Sequence, residues 1–357
     1  MNQKNDSAVS LSVLLRDFPK VELHRHLEGT FPVKKLYELS LKNGIDAPKE
    51  FDDFIEFIQF PRDSKPDFLT FLEKFKNNWY RSYEDVYWIT YHSVKDFIND
   101  GIFYIELRFS PEHFSLENDF DRGKVTRLIV EAGNKAAEET GIVIKYLLTF
   151  NRGKQSEDEM IPLYNKLKKL DLADVVGIDL AGDETNFPPA LFKNFFDLVE
   201  ADGLYKSSIH AGEVSPSRQI WESIDILHAA RIGHGISTIK DAKLQEYLKE
   251  RHVCLEQCIT SNYQTGSWPD EKNHPMGELY RKGVPVTINS DDPTIQGIDL
   301  TGDYVKAVEY LGFSIDDLVE LNLEAIDYSF NTEEYKKSLK SRYLEKVRHF
   351  KEKHKLS

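Results

Sequence analysis

The sequence predicts an α/β fold in which eight parallel strands and their flanking helices form a (β/α)8 TIM-type barrel. Three observations support this fold class. Eight apolar, β-rich runs recur along the chain, helical periodicity separates most of them, and 357 residues suffice for a barrel with additions. The middle runs are β-branched and do not alternate strictly with polar residues, which is typical of strands covered on both faces.

The eight predicted strands are similar in composition but unevenly spaced. They cover residues 21–27, 102–109, 143–150, 175–180, 207–210, 231–236, 253–260 and 284–289. Apolar residues return every three or four positions over 125–139 and 159–170, which predicts helices there. We expect the whole chain, residues 1–357, to form one barrel domain.

An additional helical segment is predicted between the first two strands. The first strand starts at residue 21 and the second at residue 102, a separation of 81 residues, whereas a simple βαβ unit needs only ~30. We therefore expect a helical insertion over about residues 32–100. Its aromatic residues are Phe51, Phe54, Phe57, Phe60, Phe68, Phe71, Phe75, Trp79 and Tyr80. Most of them are expected to form a small helical core, and a few to form an apolar wall or lid over the barrel mouth.

Three further helical patterns follow the eighth strand. Residues 314–317 and 331–334 both resemble capping boxes, in which a side-chain oxygen and a carboxylate accept hydrogen bonds from free main-chain N–H groups. The last pattern, over 333–353, is dense in charges of both signs. We expect it to be a solvated surface helix without chemistry.

The charge balance limits the partners of the chain. Lys and Arg number 46 against 60 Asp and Glu, a net charge of −14, so nucleic acid is not an expected partner. No apolar stretch approaches the ~18 residues of a membrane span, and the short run at 8–15 lacks the features of a signal peptide. Cys254 and Cys258 are too far apart along a strand for a disulfide, so we expect buried thiols in a cytoplasmic protein.

Histidines and acids follow several of the predicted strands. His24 and His26 alternate on the first strand and therefore share a face about 6.5 Å apart, which lets two imidazoles bind one ion. A His-x-His pair also occurs by chance. At the end of the fifth strand, His210-Ala-Gly-Glu213 offers a third nitrogen ligand and a nearby acid.

Three other motifs follow strands four, six and eight. His234 lies between Gly233 and Gly235, which lets the main chain approach a ligand or simply makes a turn. Asp291 and Asp292 are adjacent carboxylates that repel unless a cation or donors compensate, although Asp-Asp-Pro is also common in turns. Residues 177–184 end the fourth strand, where a glycine would leave a main-chain group open to a ligand.

Together these motifs lie at the same ends of the strands, where barrel active sites are found. Three imidazoles and one carboxylate suit one Zn²⁺ better than Ca²⁺ or Mg²⁺, and zinc lowers the pKa of bound water to about 7. Iron and cobalt are alternatives. No lysine lies in 175–184 to bridge two metals. We expect Glu213 to donate a proton, His234 to orient or deprotonate the water, and Asp292 to bind the substrate.

The remaining histidines are assigned no chemistry. They lie in helical or turn patterns, and we expect structural or surface roles for His92, His228, His252, His274 and His349.

The order and content of the motifs resemble the adenosine deaminase family over most of the chain, from residue 19 to residue 330. The matching elements are His24-Arg-His26, Gly177 to Glu184, His210-Ala-Gly-Glu213, Gly233-His-Gly235 and Ser290-Asp-Asp-Pro293. The resemblance extends to residues 258–268, 274–275 and 322–330. The paired H-x-E and P-C-x-x-C signature of cytidine-type zinc deaminases is incomplete, because no P-C-x-x-C occurs in the sequence.

The resemblance implies a zinc-dependent barrel that hydrolyses the 6-amino group of adenosine and 2′-deoxyadenosine to inosine products and ammonia, in purine salvage. It implies one Zn²⁺ per chain, bound by His24, His26, His210 and Asp291. Glu213 would protonate purine N1 while hydroxide attacks C6, and His234 would assist the water. The implied substrate contacts are His26, Glu28, Gly182 and Asp292, the last at N7. The expected partner is a small purine nucleoside, and the expected state a monomer or weak homo-oligomer.

Two residues depart from the family pattern. Glu28 stands where adenosine deaminases usually have aspartate, which contacts the ribose 5′-hydroxyl, and Ile259 replaces a common proline. Relatives acting on adenine or aminodeoxyfutalosine often have glutamate at the first position, so these are alternative substrates. A metal-dependent amide or ester hydrolase and a barrel that has lost catalysis are further alternatives. The missing strand-four lysine and the complete residue set argue against them.

Overall fold

A computed structural model describes residues 11–61, 64–76, 78–115 and 118–356. Eight parallel strands follow one another in chain order around a nearly closed barrel, flanked by helices. The predicted (β/α)8 barrel is therefore confirmed. The N-terminal run at 8–15 lies partly outside the described residues, and residues 11–17 are helical.

Each strand pairs in parallel with the next one along the chain. The strands are β1 Lys20–His26, β2 Ile102–Phe109, β3 Val143–Arg152, β4 Val175–Gly182, β5 Lys206–Ala211, β6 Arg231–His234, β7 Cys254–Gln257 and β8 Val286–Ile288. β1 and β8 meet through a parallel bridge between Arg25 and Asp291. The carboxyl ends of all eight strands consequently surround one opening.

Helices cover the outside of the barrel and fill the connections. The α-helices are Val33–Lys42, Phe51–Ile58, Phe68–Leu72, Tyr83–Asp96, Arg122–Thr140, Glu157–Leu167, Lys193–Asp202, Arg218–Asp225, Ala242–Arg251, Ile259–Gln264, Met276–Arg281, Pro293–Gln296, Leu300–Leu311, Ile315–Tyr328 and Glu333–His354. Short 3-10 helices occupy Glu73–Lys76, Phe97–Asp100, Lys168–Leu170, Pro189–Phe192, Ile236–Lys240 and Glu271–Asn273.

The segment between β1 and β2 is helical, and its aromatic residues divide between two roles. Of the nine aromatic residues named from the sequence, five are buried and the other four are half-buried; the buried ones are Phe54, Phe60, Phe71, Trp79 and Tyr80. Phe54 and Trp79 belong to the main hydrophobic core, while Phe60 and Phe71 form a separate small cluster with Ile295. The segment thus packs onto the barrel at the loop that follows β8.

The last helix differs from its predicted character. Leu339, Tyr343 and Val347 are buried against the apolar residues of β1, β2 and β3, including Val21 and Phe103. The prediction of a solvated surface helix was therefore wrong for the face that carries these three residues. They recur every four positions, but the charged residues between them make the segment look polar throughout. The helix covers the amino-terminal ends of three strands and leaves the opposite end of the barrel open.

Two predicted boundaries also need correction. The seventh strand ends at Gln257 and not at residue 260, because a helix begins at Ile259. The final helix is capped by Thr332, whose hydroxyl accepts from the Tyr335 N–H, so the cap lies one position later than predicted and the capping box expected over 331–334 does not form. The capping box of Ser314 with Asp317 is confirmed. No helix in the described ranges combines the length and apolar character of a membrane span.

Candidate active site

Four side chains predicted as metal ligands converge at the carboxyl ends of β1, β5 and β8. One donor atom each of His24, His26, His210 and Asp291 lies within 4.8 Å of the others. The Nε2 atoms of His26 and His210 are 3.2 Å apart, and Asp291 Oδ1 lies 3.2 Å from Nε2 of His24. The buried Nε2 of His24 has no hydrogen-bond partner among the described residues. Three imidazole nitrogens and one carboxylate facing a common point form a donor set that fits Zn²⁺.

Main-chain hydrogen bonds across the seam of the barrel fix Asp291 beside the histidines. The Asp291 N–H donates to the His24 carbonyl, and the His26 N–H donates to the Asp291 carbonyl, both at 3.0 Å. Asp291 has φ of +65°, which is uncommon for residues other than glycine. The preceding residue is held as well, since the Ser290 N–H donates to Glu22 Oε1 at 2.7 Å. The seam therefore sets the position of this carboxylate without needing an ion.

Two buried carboxylates orient two of the histidines. Glu256 Oε2 lies 2.7 Å from His24 Nδ1, and Asp179 Oδ1 lies 3.0 Å from His210 Nδ1. Both carboxylates are fully buried. Because each Nδ1 is engaged in this way, the Nε2 of each ring is turned toward the shared point, as second-sphere carboxylates do in metal sites.

Arg108 links these two carboxylates. Its Nη1 donates to Asp179 at 3.0 Å and its Nη2 donates to Glu256 at 2.8 Å. Arg231 Nε donates to the other oxygen of Glu256 at 2.6 Å. Burial alone would raise the pKa of Glu256, but the two guanidinium groups lower it well below its ordinary value. The cations therefore keep this carboxylate ionised and able to accept from an imidazole.

Glu213 follows β5 at a turn that only glycine permits. Gly212 has φ of +67°, and a Cβ there would approach Ser237 Oγ to 2.4 Å. The turn brings Glu213 Oε2 to 3.6 Å from His234 Nε2. Burial, together with the charges of Asp291 and Glu184, raises the pKa of Glu213 well above its ordinary value. A carboxyl group that keeps its proton at neutral pH can act as an acid.

His234 lies next to the four donors without joining them. Its Nε2 is 3.9 Å from Asp291 Oδ2. A Cβ on Gly233 would lie 3.0 Å from the His24 ring and 3.2 Å from His210, so this glycine lets the rings pack and does more than make a turn. Burial lowers the pKa of His234 well below its ordinary value, which keeps the ring neutral.

A second group of potential donors shares Asp291. It consists of His234, Cys258 and Asp291. Burial raises the pKa of the Cys258 thiol well above its ordinary value, whereas a cysteine binds a metal as the thiolate. The histidine-rich set is therefore the better metal site. Cys254 and Cys258 are both free and buried.

Two further carboxyl groups, those of Glu28 and Asp292, line the same site as the donors. The Ser110 N–H donates to Glu28 Oε1 at 2.6 Å, while Oε2 of Glu28 is buried without a partner in the described residues. Burial raises the pKa of Glu28 to about 7. Burial and the charge of Asp291 raise the pKa of Asp292 well above its ordinary value. A Cβ on Gly29 would clash with Asp292 Oδ1 at 1.8 Å, so glycine makes room for this carboxyl.

A cavity of about 260 Å³ contains nearly all of the predicted site residues. Its wall includes His26, Glu28, Gly182, His210, Glu213, His234, Asp291 and Asp292. His24 is fully buried beneath it. Gly182, with φ of +99°, lies where a side chain would collide with the Arg152 carbonyl. The sequence motifs of five separate strands therefore meet in one concave site.

Apolar residues of the helical insertion form one wall of this cavity. Phe68, Phe71, Leu72 and Phe75 line it, and Phe187 from the loop after β4 completes the apolar surface. The predicted apolar wall is thus formed by three of the nine aromatic residues named from the sequence. A flat heteroaromatic ligand suits such a surface, since apolar walls with a few fixed polar groups are typical of small-molecule sites.

Sequence reasoning missed several residues of the site. His113, which follows β2, and Asn151 and Arg152, which end β3, line the cavity, but none of them belongs to a recognisable motif. Arg108 and Glu256 were detectable in principle, because charged residues inside strands covered on both faces are rarely buried without a partner. His274 was expected to be structural, but it is buried and hydrogen-bonded to Asn262, which contacts His234.

A family model described as adenosine deaminase matches residues 19–346. The chain belongs to the adenosine deaminase family. It is 34% identical over 328 residues to the adenosine deaminase of Clostridium acetobutylicum, covering 90% of this chain and 96% of that relative. The chain is accordingly a hydrolase that removes an amino group.

Solved structures share the same barrel. The adenine deaminase of Arthrobacter aurescens is 26% identical, with a TM-score of 0.84 over 92% of this chain and 99% of that chain. An amidohydrolase from Burkholderia ambifaria with bound Zn has a TM-score of 0.86 over 96% and 94% of the two chains, at 24% identity. The family relationship therefore fixes the fold and the class of reaction, while the named substrates differ among relatives.

Proposed function

We propose that this chain hydrolyses the 6-amino group of adenosine and 2′-deoxyadenosine, releasing ammonia and the inosine product, with one Zn²⁺ per chain. The observation that carries the proposal is the cluster of His24, His26, His210 and Asp291 beside Glu213, at the bottom of an apolar-walled cavity. The adenosine deaminase of Clostridium acetobutylicum is the named relative that supports adenosine as the substrate.

The four donors would hold the metal, which when bound lowers the pKa of water and makes hydroxide available near neutral pH. Glu213 lies 3.6 Å from His234 and carries a raised pKa. In this proposal its carboxyl donates a proton to purine N1, which makes C6 more electrophilic. General acids of this kind contribute about 10²- to 10⁴-fold to the rate.

Asp292 and Gly182 would hold the purine ring. Purine N7 is a hydrogen-bond acceptor, so a carboxyl partner must be protonated to bind it. The raised pKa of Asp292 supports such a donor, and its unpartnered Oδ1 supports a free hydrogen-bonding position. Gly182 would contribute a main-chain group at the same cavity wall.

Adenine is the second candidate substrate. Glu28 is one methylene longer than the aspartate usual in adenosine deaminases, and its Oε2, which has no partner among the described residues, belongs to the cavity wall. The longer side chain would leave less room for a sugar. The structure of Arthrobacter aurescens adenine deaminase covers nearly the whole chain at 26% identity. Both observations support free adenine as the second candidate, after adenosine and 2′-deoxyadenosine.

A side-by-side assay separates these candidates. The purified protein is incubated with adenosine, 2′-deoxyadenosine, adenine and aminodeoxyfutalosine, and both ammonia and the absorbance change near 265 nm are recorded. We expect the highest kcat/KM for adenosine and 2′-deoxyadenosine, and loss of all activity after chelation with recovery on adding Zn²⁺. A higher kcat/KM for adenine would overturn the choice of substrate, and full activity after metal removal would overturn the mechanism.

The compartment and assembly are proposals of the same kind. We expect a cytoplasmic enzyme that is a monomer or a weak homo-oligomer and that binds neither nucleic acid nor membranes. The two buried thiols, Cys254 and Cys258, agree with a reducing compartment. Sedimentation velocity over a range of concentrations measures the assembly state.

A further inference from the structure

A chain of hydrogen bonds extends from His234 away from the metal-binding cluster. Asn262 Nδ2 lies 3.2 Å from His234 Nδ1, and Asn262 Oδ1 lies 3.1 Å from His274 Nε2. At the far end, the main-chain N–H of Met276 donates to His274 Nδ1 at 3.3 Å. His234, Asn262 and His274 are all buried. The donor and the acceptor of each of these three hydrogen bonds can therefore be assigned in turn.

The assignment starts from the Met276 main-chain N–H, which can only be a donor. The Met276 N–H is the first of the helix Met276–Arg281 and has no carbonyl of its own helix to bind. His274 Nδ1 must therefore accept. Burial, with a smaller effect of Lys306, lowers the pKa of His274 to about 3, so the ring is neutral. A neutral ring that accepts at Nδ1 carries its proton at Nε2.

This proton fixes the orientation of Asn262. The His274 Nε2–H group donates to Oδ1 of Asn262, and the amide NH₂ group consequently faces His234. His234 Nδ1 must accept from that amide. Because an imidazole ring carries at least one N–H, the proton of His234 then lies on Nε2. This is the nitrogen 3.6 Å from Glu213 Oε2 and 3.9 Å from Asp291 Oδ2.

We infer that Asn262 and His274 are positioning residues that hold His234 as the Nε2–H tautomer, so that His234 donates a hydrogen bond into the site. The tautomer follows from the hydrogen-bond geometry. Its effect on catalysis rests on the proposed function. The sequence left two roles open for His234, orienting the water or deprotonating it. The fixed tautomer selects the first, because a nitrogen that already bears a proton orients an attacking oxygen by donating to it.

The side-chain amide of Asn262 is separate from the main-chain hydrogen bonds that hold its helix and the turn after it. Its main-chain carbonyl accepts from Trp268 N–H at 2.8 Å and from Ser267 Oγ at 3.0 Å. Neither bond involves the amide group. A change to the amide therefore tests the tautomer, and Ser267→Ala, which removes a bond to the same residue, is a matched control.

The tautomer is measured by ¹⁵N NMR of the zinc-loaded enzyme with labelled histidine. The His234 signals are those lost in His234→Gln. We expect the one-bond coupling to hydrogen at Nε2 in the wild type and in Ser267→Ala. In Asn262→Asp the carboxylate can only accept, so the coupling should move to Nδ1. A wild-type proton on Nδ1, or an unchanged proton position in Asn262→Asp, would overturn the inference.

Turnover provides the second readout. Asn262→Asp should lower kcat by about 10²- to 10³-fold, as loss of one preorganised donor does, with a smaller change in KM. His274→Ala should lower kcat in the same direction, and His274→Gln, which restores an N–H donor toward Asn262, should recover part of it. An Asn262→Asp variant with the proton on Nδ1 and wild-type kcat would overturn the donor role. Absence of purine deamination in the wild type would instead refute the proposed function while leaving the NMR result valid.

Discussion

The two ends of the cavity are built differently. At the metal-binding end, His24 and His210 each have a buried carboxylate on Nδ1, and Asp291 is fixed by main-chain bonds to the neighbouring strand. At the other end, Glu28 accepts one bond from a main-chain N–H, and its second oxygen has no partner within the described part of the chain. The wall beside it comes from the short helix Phe68–Leu72 and its neighbours.

This difference in construction suggests that one end of the cavity determines the reaction and the other determines which substrate is preferred. Side chains that a buried carboxylate or main-chain hydrogen bonds hold in place keep one geometry, which is what a metal site needs. A carboxyl with a free oxygen can adapt to a sugar, or to its absence, without disturbing that geometry. Changes at the first end should therefore alter turnover and metal affinity, and changes at the second end should alter the ratio between substrates.

The largest expected effect at the metal-binding end comes from the acid. Glu213→Gln keeps the size of the side chain but removes the proton that the carboxyl would donate. We expect kcat to fall by about 10²-fold or more, with zinc content unchanged by elemental analysis. Wild-type turnover with full zinc would exclude Glu213 as the acid, and loss of zinc would show that the substitution also disturbs the donors.

The link between the two orienting carboxylates gives the next largest effect. Arg108→Gln leaves Asp179 and Glu256 buried without their shared cation, so we expect a loss of about 3–5 kcal/mol in the free energy of unfolding. Zinc affinity in a chelator competition should fall by about 10- to 100-fold.

A matched control separates metal affinity from general stability. Lys20 is a fully buried cation that donates to the carbonyls of Leu15, Phe18 and Asp100 and contacts none of the four donors. Lys20→Met should lower the free energy of unfolding while leaving zinc affinity within a few-fold of the wild type. Equal zinc affinities of the two variants would contradict the role assigned to Arg108.

A smaller effect is expected at the other end of the cavity. Glu28→Asp shortens the carboxyl to the residue usual in adenosine deaminases, and we expect kcat/KM for adenosine relative to adenine to rise by about tenfold, the size of one hydrogen bond. Zinc content should not change. Ser110→Ala is the control, since it keeps the main-chain N–H that donates to Glu28. An unchanged substrate ratio would remove Glu28 from the specificity determinants.

The smallest effect concerns the pH dependence of stability. The folded Glu28 carboxyl has a pKa of about 7, raised from 4.5 by burial. Between these pH values the folded state binds more protons than the unfolded state, so stability falls as the pH rises. Urea unfolding between pH 5 and pH 8 should show the wild type losing on the order of 1 kcal/mol more than Glu28→Gln. Parallel curves for the two proteins would contradict the raised pKa.

Much of this site was predictable because its residues follow strands of a barrel. Parallel strands around a barrel bring their carboxyl ends to one rim, so His24, His210, His234 and Asp291 could be expected to meet although they span most of the chain. The family resemblance supplied the expected roles. The geometry brings all nine named residues to one site, and their roles stay proposals until tested.

The remaining features depend on packing that no local pattern encodes. The buried face of the last helix is masked by charged residues on both sides of it. Arg108 on β2 forms ion pairs with Asp179 on β4 and Glu256 on β7. No local sequence pattern indicates which charged residues of separate strands will pair. His274 looked like a turn residue because its hydrogen bond to Asn262 joins two segments without a shared pattern. The helix that carries Asn262 begins at Ile259, inside the run predicted as β7.

The most direct test of the account is the coordination of the metal itself. X-ray absorption of the purified enzyme at the zinc edge, with elemental analysis, should give one zinc per chain with three nitrogen ligands and one carboxylate oxygen at about 2.0–2.2 Å. Two metals per chain, or a sulfur ligand near 2.3 Å from Cys258, would contradict a site made by His24, His26, His210 and Asp291.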